Sequence, residues 1–154
     1  MRLSSLLAVA LVVVAMSGSS KAADLQVQEI KAYLFFSNSG KLSENIVGSK
    51  KDFWNTGAGE GEAGGAATNV LVDLVLAGED PTPQGETASL KVTYQAPGPR
   101  DVVIKRTYKS FFFGQNGVIH ESVFLEDATC ASVQIEAHAG KSSKTATLKF
   151  HCGE

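Results

Sequence analysis

The chain has only two cysteines, Cys130 and Cys152, which excludes a CxxC redox pair and any zinc cluster built on thiolates. It has no surplus of positive charge either. Its 14 Lys and Arg are outnumbered by 16 Asp and Glu, a net charge of -2, whereas nucleic-acid binding relies on clustered cations. The densest basic stretch, residues 100–109, alternates with apolar residues and reads as the outer face of a strand. No glycine-lysine-serine or -threonine run forms a P-loop, and no G-x-S-x-G supplies a nucleophile elbow. Beyond the N-terminus no apolar run is long enough to span a bilayer.

What is present begins with a targeting pattern. Arg2 precedes a near-continuous apolar run over residues 6–16, followed by "SGSSKAAD", whose small residues suit cleavage after Ala22 or Ala23. The expectation is a signal peptide over 1–22 and one domain over 23–154, a length that buries a real core. No cysteine follows the apolar run, so the lipoprotein anchor signal is missing, and the expected product has no membrane anchor after cleavage. It is expected outside the cytoplasm, in the periplasm or secreted. In that oxidising compartment Cys130 and Cys152 pair, which stabilises the fold by roughly 3 kcal/mol.

After residue 24 the pattern has period two almost throughout. "NVLVDLVLA" puts Val70, Val72, Leu74 and Leu76 on one face, with Asp73 interrupting the other, and "SLKVTYQA" sets Leu90, Val92 and Tyr94 against Lys91, Thr93 and Gln95. "DVVIKRTYKSFFF", "GQNG" and "VIHESVFLE" read as an extended hairpin turning at Asn116-Gly117. The last pair, "CASVQIEAHA" and "KTATLKFHC", matches its apolar faces if Ile135 lies opposite Leu148. About seven strands without a convincing helix predict an all-β fold, an antiparallel immunoglobulin-like β-sandwich.

One segment breaks the pattern, residues 37–68, a long glycine-rich stretch of the kind that often binds. Gly59, Gly61 and Gly64 fit GxGxxG, but no strand precedes the motif and no helix follows it, and Glu60 and Glu62 would repel a pyrophosphate. The same carboxylates, with Asp52 nearby and Asp73, Glu79 and Asp80 on other loops, suggest a calcium site, although the spacing matches no calcium motif. The bland reading is that they keep a loop soluble. The histidines do not form a metal site: His138 and His151 lie about six rungs apart on the last hairpin, on the order of 20 Å. His120 and Ser122 share a strand face but sit ~6.6 Å apart, too far for direct proton transfer.

Aromatics are the remaining candidates. Phe53 and Trp54 open the glycine run, and burial of Trp54 as an anchor weighs more heavily than its display. In the triplet Phe111, Phe112, Phe113, strand parity sends Phe112 to the outer side. "LFFSNSGKLSEN", "DFWNTGAGEGEAGGAATNVLVDLVL" and the terminal "FHCGE" together resemble an uncharacterised family of small exported bacterial β-sandwich proteins. That resemblance implies an extracytoplasmic location and supplies no activity. The reading favours a noncatalytic module that binds a protein or envelope partner, with Phe53, Trp54, Asn55, Glu60 and Glu62 as contact residues. A calcium- or carbohydrate-binding module using the same loop comes second and a hydrolase third.

Overall fold

A computed structural model describes residues 24–80, 85–95 and 100–153. The expected signal peptide lies outside the described residues. Alternating side chains produce eight strands, β1 (Gln26–Phe36), β2 (Lys41–Leu42), β3 (Asn69–Ala77), β4 (Ala88–Gln95), β5 (Asp101–Tyr108), β6 (Val118–Leu125), β7 (Val133–Ala139) and β8 (Ser142–Leu148). They form two antiparallel sheets, ordered β2-β1-β3-β6 and β5-β4-β7-β8. With β1, β3 and β6 as strands A, B and E, and β4, β7 and β8 as C, F and G, this is an immunoglobulin-type sandwich in which β5 widens the second sheet. Among the described residues no helix is long and apolar enough to cross a membrane.

The inward faces are those the alternation indicates. Val70, Val72, Leu74 and Leu76 of β3 meet Leu90 and Val92 of β4 and Val133 and Ile135 of β7, all fully or almost fully buried. Removing each such side chain from water contributes about 1.5–3 kcal/mol. The disulfide joins Cys130, ahead of β7, to Cys152, beyond β8, with Cα atoms 5.2 Å apart. It is therefore not the inter-sheet B–F bridge of antibody domains.

Two connections differ from the sequence expectation. Residues 101–125 are not a hairpin: β5 pairs with β4, and β6 pairs with β3 in the other sheet. A hairpin would leave one backbone edge of β3, most of whose residues are buried, unpaired, and β6 fills that edge. The chain crosses between sheets through the phenylalanine triplet, where Phe111 is buried and Phe113 stacks on it at 6.1 Å. Phe112, 83% exposed, points out, although the triplet lies beyond the end of β5 and not on the strand the sequence suggested.

The last hairpin is slipped by two residues from the expected register: Val133, not Ile135, lies opposite Leu148, and Ile135 lies opposite Ala146. The cause is the turn. Ala139 pairs with Ser142, leaving only Gly140 and Lys141 between the strands. Gly140 has φ +54, and a Cβ there would lie 2.6 Å from the Leu25 carbonyl oxygen, so glycine sets the tight turn.

Candidate binding site

Residues 37–68 are built rather than slack. Asn45 Oδ1 accepts from Ala32 N–H at 3.0 Å, and Ser43 Oγ accepts from Leu34 N–H at 2.9 Å, holding the first half along β1. The second half contains two short 3-10 turns, Thr56–Ala58 and Gly61–Ala63. Gly61, at φ +62, rests against the backbone of Asp52 and Trp54, where a Cβ would stand 3.2 Å from each. The glycine run thus folds back on the aromatic pair that precedes it.

That pair divides its labour. Phe53 is buried (6% exposed) and packs on Phe150 with ring centroids 5.8 Å apart. Trp54 is 45% exposed, which corrects the expectation that it is buried against the sandwich. The reason lies outside the loop. His151 N–H donates to Phe53 O at 2.9 Å and Asn55 N–H donates to His151 O at 2.7 Å, a parallel bridge. Alternation across that bridge sends Phe53 inward and Trp54 outward.

The exposed indole is held from several sides. Its ring stacks on His151 at 4.7 Å with 20° between planes, and its Nε1–H donates to Asp52 Oδ2. Asp52 Oδ1 lies 3.6 Å from His151 Nε2. Asn55 adopts left-handed backbone geometry, its Nδ2 donates to Glu60 Oε2 at 2.7 Å, and its Oδ1 accepts from Gly153 N–H at 2.8 Å. Glu62 Oε2 accepts from Asp52 N–H at 3.2 Å. Below this, Ala128 N–H donates to Thr68 O at 2.8 Å, so the disulfide ties together the two segments that grip the loop.

All five candidate residues, Phe53, Trp54, Asn55, Glu60 and Glu62, thus come together, but in different roles. Phe53 is core, Trp54 is display, and Asn55, Glu60 and Glu62 spend their polar atoms bracing the loop. The carboxylates do not converge as a calcium site requires: among the described residues no three of His, Cys, Asp and Glu gather to hold a metal. Asp73, considered as a loop ligand, sits on β3 and accepts a hydrogen bond at 2.9 Å from His120 Nδ1–H. His120 therefore turns to Asp73 rather than to Ser122, Asp73's partner across the ladder.

The chain matches no family model, no curated protein and no solved structure.

Sequence reasoning missed what lies beside Trp54. A groove of about 560 Å3 runs between residues 46–53 and residues 147–151, within the size range of ligand sites. Lys50, Lys51, Asp52, Thr147, Lys149 and His151 line it, and Phe53 forms part of its wall. The three lysines come from segments a hundred residues apart along the chain. Only "KK" at 50–51 was legible as a local basic feature.

Proposed function

We propose that this protein is a noncatalytic binding module that engages a protein or envelope partner outside the cytoplasm, with the 37–68 segment as its contact element. The observation that carries the reading is Trp54: a large aromatic left half exposed while its ring, its N–H and its backbone are all held in place. Tryptophan dominates many interfaces, and a side chain already fixed in position loses little freedom on binding. The disulfide fits an oxidising, extracytoplasmic setting.

The test is photo-crosslinking in cells that make the protein. An aromatic photoreactive side chain, which keeps a ring in place of the indole, is put at position 54 and compared with the same side chain at Val103, which is equally exposed on the outer face of β5. The reading requires a discrete adduct from position 54 and none from position 103. Equal adducts, or none at 54, would end it.

A further inference from the structure

The groove beside Trp54 has a strand edge for one wall. β8 is the last strand of its sheet, so alternate residues along it present backbone N–H and C=O groups that no neighbouring strand of the sheet takes up. Just past its end the chain itself shows how that edge is used. At His151 both backbone groups pair with the segment around Trp54, in parallel. Before residue 53 that segment diverges from β8, and the groove opens between them.

Its charge is the second observation. Three lysines line the groove of a chain whose net charge is -2. Lys51 lies 3.8 Å from Glu44, while Lys50 and Lys149 have no ion pair among the described residues. The single lining carboxylate, Asp52, is occupied by the Trp54 indole and His151. Backbone edges are satisfied best by another backbone, and unpaired lysines by carboxylates.

We propose that an extended acidic peptide segment binds in this groove as an added strand on the free edge of β8, its carboxylates meeting Lys50 and Lys149. The proposal rests on the reading of the Trp54 loop as a contact element and names the partner's chemistry. Trp54, the only tryptophan, stands at its end and reports occupancy by fluorescence.

The oxidised protein is titrated with a capped eight-residue peptide alternating glutamate and threonine. Two further versions are N-methylated at either the glutamate or the threonine amides. A lysine–threonine peptide and polygalacturonate, an acid without a peptide backbone, complete the set. Strand addition requires one methylation pattern to weaken binding at least tenfold, about 1.4 kcal/mol, and the other to leave it within about threefold, because alternate amides face opposite sides of a strand. The charge reversals Lys50→Glu and Lys149→Glu, both at exposed positions, should each weaken the acidic peptide about tenfold without changing the melting temperature.

Equal binding of both methylated peptides overturns the strand geometry, and equal binding of polygalacturonate or of the lysine peptide overturns the acidic-peptide assignment. No binding of the acidic peptide overturns the proposal outright. The two failures are separable: a crosslink at position 54 with no peptide binding keeps the contact loop and discards its acidic-strand partner. Peptide binding without a crosslink discards the partner complex and keeps the groove chemistry.

Discussion

Replacing Phe53 and Trp54 separately by alanine separates anchor from contact. Phe53 is almost fully buried against Phe150, and truncating such a ring costs about 3–5 kcal/mol. For a domain of about 130 residues the unfolding entropy is about 0.27 kcal/mol/K, so Phe53→Ala should lower Tm by about 11–18 °C. Trp54→Ala removes an exposed stack on His151 and one hydrogen bond to Asp52, about 1–2 kcal/mol together, or about 4–7 °C. Differential scanning calorimetry of the oxidised proteins measures both. Trp54→Ala should also abolish partner binding while keeping the fold, whereas any loss of binding by Phe53→Ala follows its loss of structure. Equal destabilisation by the two variants would refute the division between buried anchor and displayed ring. So would a Trp54→Ala protein that retains full partner affinity.

Removing the disulfide by Cys130→Ser with Cys152→Ser should cost about 3 kcal/mol, near 11 °C by the same conversion, and limited proteolysis should then cut first within residues 52–68. Gly61→Ala should loosen the Trp54 loop, because the new methyl group meets Asp52 and Trp54 backbone; a shift in Trp54 emission with a smaller loss in Tm than Phe53→Ala is the expected signature. Burial raises the Glu121 carboxyl above its ordinary pKa, so the folded state holds that proton more tightly than the unfolded chain. That contribution is present below the ordinary carboxylate value and is lost as pH rises through the raised one. Glu121→Gln should therefore stabilise the protein at neutral pH and lose that advantage in acid, read from melts across pH. Excess calcium should leave Tm unchanged relative to chelator, whereas a site filled at a hundred times its Kd would add about 2.7 kcal/mol and raise Tm by about 10 °C.

The inward faces of the strands and the cysteine pair were legible in the chain itself. Alternation is a local property: whichever strand lies beside β3, Val70, Val72, Leu74 and Leu76 share one side of it, and all four are buried. Alternation is blind to a slip of two residues, which is why the last hairpin kept its faces and shifted its register until the Gly140 turn set it. It is also blind to which sheet a strand joins, so β5 and β6 read as partners until the need of β3 for a second neighbour separated them. Trp54 depended on tertiary structure most of all. Its exposure follows from a bridge to His151, and its groove from lysines at 50, 51 and 149, contacts that exist only once the C-terminal segment has been drawn beside the loop.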